Sequence, residues 1–453
     1  MADDQNLPPT VGPNAWLVDE MYEQYLADPT SVSDSWQDFF HDYRPDGSPT
    51  VSASAAAAPA AAPEAPPVAA APTAAAAAPP ATGEAEGEPL RGAAALIATN
   101  MTRSLEVPTA TSFREVPAKL LEVNRRIING YLGRTRGGKL SFTHLIGYAV
   151  VRAITETMPA MNASFVEGPD GKPRIMRHPH LGLGLAVDIE KSTGRTLLVP
   201  CIRDADTLDF RGFWTAYEEI IRKVRNNKLG ADDFAGVTVS LTNPGTIGTV
   251  QSVPRLMPGQ GVIVGVGTLD YPTEFQGADP ATLATLGVSK IITISSTYDH
   301  RIIQGAESGL FLKRVHELLL GEDGFYEGIF RSIGVPYEAV KWRRDVNPID
   351  HEQAMLEKQM KADQLVNAHR VRGHLIADLD PLAAKDPVMH SELDPATYGL
   401  TIWDLDREFL TNGIGGRDRM ALGDLMHLLR DAYCRTIGIE YMHIQEPVEK
   451  AWI

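Results

Sequence analysis

The chain has 453 residues, of which 43% are hydrophobic and 22% are charged, a balance typical of a soluble globular protein of about three domains. Asp and Glu number 58 against 42 Lys and Arg, giving a formal net charge of -16. This argues against a general nucleic-acid binder, because neutralising phosphates needs a basic surface. Two cysteines, Cys201 and Cys434, are too few for a disulfide framework or a four-cysteine zinc site. Without a signal-peptide pattern or a run of about 18 apolar residues, a cytoplasmic protein without membrane contact is expected.

The first 89 residues divide into an acidic arm and a linker. Residues 1–49 carry ten acidic residues and one basic residue, with apolar residues at helical spacing around Trp16 and Trp36. Fewer than about 50 residues cannot build a core, so we predict an acidic helical docking arm, with packing on its own chain as the alternative. Residues 50–89 are Ala/Pro-rich, and prolines at this density prevent a helix and leave a semi-rigid spacer.

Residues 90–336 mix helical and strand patterns. Apolar residues at helical spacing predict helices over 116–132, 142–157, 213–224 and 305–320. Short apolar runs predict strands over 182–189, 196–200, 236–242, 261–267 and 290–297. A mixture of this kind over about 245 residues predicts one α/β (α+β) domain.

Residues 337–453 have a more polar, helical pattern. Helices are predicted over about 349–372 and 419–436. We interpret this segment as the incomplete start of a larger helical domain.

A histidine stands between a predicted strand and a predicted helix. Residues 299–305 read Asp-His-Arg-Ile-Ile-Gln-Gly. Such a position suits His300 for a general base near neutral pH, although position alone favours a structural histidine.

A threonine ends another predicted strand. Residues 239–245 read Val-Ser-Leu-Thr-Asn-Pro-Gly, and the Thr242 hydroxyl is placed to donate a hydrogen bond to a developing oxyanion. Taken alone, this threonine is more simply a residue that caps a tight turn.

Together, the two segments resemble the paired motifs of dihydrolipoyl acyltransferases, the second components of 2-oxo acid dehydrogenase complexes. The histidine segment is similar to the family motif Asp-His-Arg-x-x-Asp-Gly, and the threonine segment resembles the strand-turn motif of the succinyl-transferring members. The resemblance covers about residues 90–336. It implies a chloramphenicol-acetyltransferase-like fold and a homotrimer with active sites between subunits.

The resemblance also implies the chemistry. His300 would accept the proton of a thiol that attacks a thioester, and Thr242 of the neighbouring subunit would stabilise the tetrahedral oxyanion. A succinyl group would thereby pass between dihydrolipoamide and coenzyme A. The chain departs from the family at Gln304, which replaces an Asp; this substitution keeps hydrogen-bonding capacity but removes a charge.

The flanks resemble a different component. Residues 14–22 and 34–40, with residues 369–374, 378–382 and 439–444, are similar to 2-oxoglutarate dehydrogenase first components. An acyltransferase domain inserted in a first component resembles the fused actinobacterial 2-oxoglutarate dehydrogenase/decarboxylases of the tricarboxylic acid cycle. The resemblance implies partners that include a lipoyl-bearing acyltransferase and a dihydrolipoyl dehydrogenase.

Missing motifs limit what this chain does itself. The Gly-Asp-Gly motif that would hold thiamine diphosphate and Mg²⁺ is absent, so these cofactors are expected only of a longer parent protein. No metal site, tightly bound cofactor or lipoyl domain is predicted here. The alternative function is a trimeric assembly scaffold with little transferase activity, which Gln304 favours modestly. A basic cluster has two possible roles, in binding coenzyme A or as a solvated surface. Its members are Arg125, Arg126, Arg134, Arg136 and Lys139.

Overall fold

The computed structural model describes residues 93–453, apart from 136, 192–193, 347, 381 and 383–386, together with seven residues nearer the amino terminus: Tyr25, Leu26, Asp28, Pro29, Val32, Gln37 and Phe40. The predicted acidic arm and the Ala/Pro-rich linker therefore lie almost entirely outside the described residues. Within the described part, no helix is both long and apolar enough to cross a membrane.

A mixed sheet of seven strands forms the centre of the fold. Six of them follow the order β1-β9-β8-β7-β4-β5, and the seventh, β6, pairs with a different part of β4 from β5. Its strands are β1 (Thr109–Pro117), β4 (Leu183–Lys191), β5 (Gly194–Leu198), β6 (Cys201–Ile202), β7 (Val239–Thr242), β8 (Val262–Asp270) and β9 (Ile291–Asp299). Strands β4, β7 and β8 run parallel, whereas β9 is antiparallel to both β8 and β1. A separate hairpin joins β2 (Ala163–Glu167) and β3 (Pro173–Arg177).

Helices cover the sheet and form most of the carboxyl-terminal part. They are α1 (Ala93–Ser104), α2 (Lys119–Arg134), α3 (Phe142–Glu156), α4 (Phe210–Arg225), α5 (Pro280–Leu286), α6 (Gly305–Leu319), α7 (Phe325–Ile333), α8 (His351–Arg372), α9 (Leu422–Tyr433) and α10 (Pro447–Trp452). A short hairpin of β10 (Glu408–Leu410) and β11 (Arg419–Ala421) precedes α9.

The buried helix α3 shows how the sequence sets this arrangement. Ser141 caps its amino end by accepting a hydrogen bond from the His144 amide, while the His144 ring accepts one from the Ser141 amide. Ten of its fifteen residues are buried, so the helix is apolar almost all round and packs inside the domain.

The sequence predicted the main elements of this domain. The helices predicted over 142–157 and 305–320 are α3 and α6, and the strands predicted over 261–267 and 290–297 are β8 and β9. One prediction was wrong at its start. The helix predicted from residue 419 begins at Leu422, because Arg419–Ala421 pair with Glu408–Leu410 as strands.

The carboxyl-terminal segment, residues 337–453, packs against the mixed domain through apolar and ionic contacts. Its buried apolar residues belong to the same connected core as those of the sheet. Tyr337 packs edge-on against Tyr131 of α2, and Lys119 of α2 forms an ion pair with Asp406.

The most buried ionic group of this segment is Asp404, whose side chain is fully buried. Its carboxylate accepts hydrogen bonds from Lys358 at 2.6 Å and Arg407 at 3.0 Å, and from the Thr401 amide at 2.8 Å. Burial by itself raises the pKa of Asp404, but these donors outweigh burial and hold the pKa below its ordinary value. Arg407 also forms an ion pair with Asp345. The Asp404 carboxylate is therefore connected to Lys358 directly and to Asp345 through Arg407.

We predict that Asp404→Asn destabilises the protein by about 3–5 kcal/mol at pH 7, because Lys358 and Arg407 lose the fully buried carboxylate that pairs with both. Since the folded state lowers the Asp404 pKa, its stabilisation is present above about pH 4 and is lost as the pH falls through the folded pKa. Urea unfolding between pH 3 and 7 measures this difference. The exposed Asp170→Asn is the matched control and should change little; equal stabilities of the two variants would contradict the prediction.

Candidate active site

His300 lies in the turn between β9 and α6, where its side chain is exposed. Its amide donates to the Pro108 carbonyl at 2.8 Å, which ties the turn to the residue before β1. The imidazole Nδ1 lies 3.1 Å from the Ile303 carbonyl oxygen. Because a carbonyl only accepts, Nδ1 carries the hydrogen in this bond and Nε2 is left with a free lone pair. The turn therefore presents His300 in the tautomer that a general base requires.

The neighbours of His300 in the motif hold the turn and do not bond to its ring. Asp299 is 2% exposed, and its two oxygens accept from Arg301 Nε at 2.9 Å and Nη2 at 2.7 Å. The Arg301 guanidinium stacks over the Phe165 ring at 3.8 Å. The Asp299 carbonyl accepts the amide of Ile303 at 2.9 Å. Asp299 and Arg301 thus position the turn whose Ile303 carbonyl orients His300.

Gln304 caps α6 at its amino end and is exposed. Its backbone amide donates to Glu307 Oε2 at 2.7 Å, so the first turn of α6 is closed by a carboxylate at N3. This local bond forms whether residue 304 is Gln or Asp, because it uses the backbone. The departure from the family motif therefore leaves the helix start intact.

Thr242 is the last residue of β7 and is partly buried. The residue after it, Asn243, donates from Nδ2 to Thr143 Oγ1 at 2.8 Å, near the start of α3. Asn243 Nδ2 and Thr143 Oγ1 thus connect the threonine turn to a buried helix. The sequence analysis did not predict this hydrogen bond. Thr143 lies two residues after the capping Ser141, and its sequence position does not indicate a contact with Asn243 unless α3 and β7 are known to be neighbours.

The structure does not bring Thr242 and His300 together within one chain. In the sheet register Thr242 lies beside Gly265, and Gly265 lies beside Ser295. His300 is five residues beyond Ser295, about 16 Å along the strand at roughly 3.3 Å per residue, and β9 is two strands, about 10 Å, from β7. The two residues are therefore at opposite ends of the sheet, about 19 Å apart by this reckoning.

A wide cleft of about 920 Å³ opens at the Thr242 end of the sheet. Asn243, Thr143 and Tyr217 lie in its wall, as do Arg125 and Lys139. Burial lowers the pKa of the Arg125 guanidinium, which stacks over the Phe142 ring at 4.0 Å. The cleft thus combines aromatic surface, hydroxyl and amide groups, and positive charge.

His144 lines the same cleft but, unlike the exposed His300, it is buried. Its ring packs edge-on against Tyr217 with centroids 4.1 Å apart, and Nε2 lies 3.1 Å from Glu218 Oε1. Burial lowers the pKa of His144 to about 4, so the ring is neutral at pH 7. It acts as a capping and packing group there.

The basic cluster of the sequence separates in space. Arg125 and Lys139 line the cleft beside Thr242, whereas Arg126 faces helix α9. Arg134 lies 3.3 Å from the His427 ring, and Arg136 is outside the described residues. No group of three or more His, Cys, Asp or Glu side chains in the described chain is arranged to hold a metal ion.

The family of this chain follows from comparison with known proteins. Residues 82–323 match the 2-oxoacid dehydrogenases acyltransferase (catalytic domain) family, and residues 10–47 match the 2-oxoglutarate dehydrogenase N-terminus. The first match covers more than half of the chain, so the chain belongs to the 2-oxoacid dehydrogenase acyltransferase family. The predicted resemblance and the acyltransferase class of enzyme are thereby confirmed.

Particular relatives carry the name multifunctional 2-oxoglutarate metabolism enzyme. The one from Mycobacterium sp. (strain JLS) is 56% identical over 371 residues, which is 81% of this chain and 29% of the relative. The one from Mycolicibacterium vanbaalenii is 49% identical over 99% of this chain and 39% of the relative. The chain therefore spans about a third of the length of these curated relatives.

Among solved structures, a dihydrolipoamide acetyltransferase of Azotobacter vinelandii is similar to this chain. It is 30% identical, with a TM-score of 0.44, over 52% of this chain and 92% of that protein.

We predict that Asp299→Asn lowers acyl transfer between two thiols about 10–100-fold, because the Arg301 pair that positions the His300 turn is weakened. Steady-state rates with coenzyme A as one thiol measure this change. Asp270→Asn, at the exposed end of β8, is the matched control and should keep the parental rate. An unchanged rate in Asp299→Asn would mean that the pair does not position His300.

Proposed function

We propose that this chain transfers a succinyl group between dihydrolipoamide and coenzyme A, with His300 as the general base and Thr242 as the oxyanion donor. The observation that carries the proposal is the free Nε2 of His300, which the Ile303 carbonyl leaves as the accepting nitrogen. Family membership supplies the reaction class, and the relatives' names supply the metabolic context.

In the proposed reaction, His300 Nε2 takes the proton of one thiol as its sulfur attacks the thioester carbonyl carbon. The carbonyl oxygen becomes an oxyanion, to which the Thr242 hydroxyl donates a hydrogen bond. The tetrahedral intermediate then expels the other sulfur, which takes back the proton from His300. A free thiol has a pKa near 8.5, so a base beside it increases the thiolate available at neutral pH.

The separation of His300 and Thr242 supports a site between subunits. Two groups at opposite ends of one sheet cannot act on one carbonyl, but head-to-tail contacts in a cyclic trimer can place one end of the sheet in one subunit against the other end in the next. The cleft beside Thr242 would then face His300 of a neighbouring copy. We therefore propose a homotrimer with one active site at each interface.

The proposed acyl group follows from carbon counting. Oxidative decarboxylation of 2-oxoglutarate, the compound in the relatives' names, leaves a four-carbon acyl group bearing one free carboxylate. Its thioester is a succinyl thioester. Gln304 is an uncharged residue, and the proposed roles of His300 and Thr242 do not require a charge at that position.

The wider setting is proposed from the longer relatives. We assign residues 1–49 to a docking arm, 50–89 to a linker, 90–336 to the transferase, and 337–453 to the start of a dehydrogenase region. Thiamine diphosphate and Mg²⁺ are proposed only for the longer protein, because the sequence of this chain does not contain the Gly-Asp-Gly motif that would hold them. A lipoyl-bearing acyltransferase and a dihydrolipoyl dehydrogenase are the proposed partners, in the cytoplasm.

We predict that His300→Ala and Thr242→Ala each lose activity when purified alone, by at least about 100-fold, because each removes one half of the proposed site. Refolded or co-expressed as a 1:1 mixture, the two variants should regain about one quarter of the parental rate. The reason is that one interface in four pairs an intact His300 with an intact Thr242 when subunits mix at random. Succinyl transfer from succinyl-coenzyme A to dihydrolipoamide measures this recovery.

Mass measurement of the mixed particles and the folded state of each variant are the controls. No recovery in mixed trimers would overturn the shared site. Full activity of His300→Ala would overturn the transferase mechanism and favour the trimeric scaffold.

A further inference from the structure

A narrow crevice lies between α2 and α9, where the carboxyl-terminal segment meets the mixed domain. Arg126 on α2 lines one wall, and Gly423, Met426 and Arg430 line the other along one face of α9. The enclosed volume is about 50 Å³, several times the space that one water molecule needs. The crevice is separate from the cleft at Thr242 and from the His300 turn.

Arg430 is the unusual group in this crevice. Its side chain is 93% buried, since 7% of the residue is exposed, and its Nε makes no hydrogen bond in the described part of the chain. The described residues place no carboxylate within ion-pairing distance of it, and its guanidinium carbon lies 4.2 Å from the centre of the Tyr337 ring. Arginine stays charged in proteins, and burying an unpaired charge costs several kcal/mol. An anion in the crevice would remove that cost.

A second cation and the first turn of α9 border the same space. Arg126 Nη1 lies 3.2 Å from the position that a Cβ on residue 423 would occupy, so Gly423 allows this guanidinium to approach the backbone of α9. Residue 423 is in the first turn of α9, whose capping position, Ala421, contributes no side-chain hydrogen bond. Amides at a helix start favour negative charge.

Two carboxylates also border the crevice, but neither lies within ion-pairing distance of these arginines in the described chain. Asp394 Oδ1 accepts the Ala396 amide at 2.9 Å and so caps its own short helix. Glu338 is exposed. Neither forms an ion pair with Arg126 or Arg430 in the described chain. The crevice therefore keeps two unpaired guanidinium groups on facing helices.

We propose that this crevice binds a small oxyanion, of the size of phosphate or of a short carboxylate, held between Arg126 and Arg430. Planar guanidinium groups match both phosphate and carboxylate oxygens in two-point hydrogen bonds. The anion bridges α2 and α9 and thereby fastens the carboxyl-terminal segment to the transferase domain. This binding site does not depend on the proposed succinyl transfer.

The test is the melting temperature (Tm) of the full 453-residue chain in sodium chloride, sodium phosphate and sodium acetate at one pH and one ionic strength. A bound anion stabilises the folded state by mass action, and we expect the Tm to rise by about 2 °C or more in phosphate, acetate or both. A rise in phosphate alone identifies a phosphate site, and a rise in acetate alone identifies a carboxylate site. Isothermal titration with the effective anion should give one site per chain.

Variants separate this site from a general salt effect. Arg430→Met should abolish the anion-dependent rise and be at least as stable as the parent in chloride, because it removes an unpaired buried charge. Arg126→Gln should weaken the rise, and Glu338→Gln should strengthen it. Arg174→Gln, on the distant β2–β3 hairpin, is the matched control and should leave the rise unchanged.

The proposal is overturned if the parent shows no rise in either anion. It is also overturned if Arg126→Gln and Arg430→Met keep the full parental rise. Should Arg430→Met fail to fold, the Arg126→Gln and Glu338→Gln pair decides the question, since both positions lie at the crevice rim and are exposed.

Discussion

The register of β7, β8 and β9 is the constraint on which the site depends. Strands β7 and β8 are parallel and β9 is antiparallel to them. The carboxyl ends of β7 and β9 therefore lie at opposite ends of the sheet, measured along the strands. Thr242 ends β7, and His300 follows β9. The pairing that builds a continuous buried sheet therefore also separates the two residues proposed for acyl transfer, and it makes a second subunit part of the proposed mechanism.

Local contacts then prepare each half of the proposed site separately. The Asp299–Arg301 pair holds the turn, and the turn presents the Ile303 carbonyl that fixes the His300 tautomer. At the other end of the sheet, the Asn243–Thr143 hydrogen bond connects the threonine turn to the buried helix α3. Each half of the proposed site is thus held by hydrogen bonds within its own chain.

The carboxyl-terminal segment adds a second organising principle, because it buries charged side chains of its own. Asp404 forms ion pairs with Lys358 and Arg407, whereas Arg430 is buried with no carboxylate within ion-pairing distance among the described residues. Satisfied and unsatisfied charges thus lie in the same segment. The ion-paired Asp404 stabilises the folded protein as it stands, whereas the effect of Arg430 on stability depends on what binds beside it.

By itself, the sequence determined the apolar elements and the chemistry-bearing motifs. Helix α3 and strands β8 and β9 follow from hydrophobic periodicity, and the residues around His300 and Thr242 stand out because their order matches a family pattern. Strand β1 and the β2–β3 hairpin escaped prediction, because β1 is an edge strand with mostly polar residues of which only one is buried, and β3 is wholly exposed. Only the tertiary structure decided which residues meet. The scattering of the basic cluster, the Ile303 contact to His300 and the isolation of Arg430 all depend on pairings between distant segments, which local periodicity does not encode.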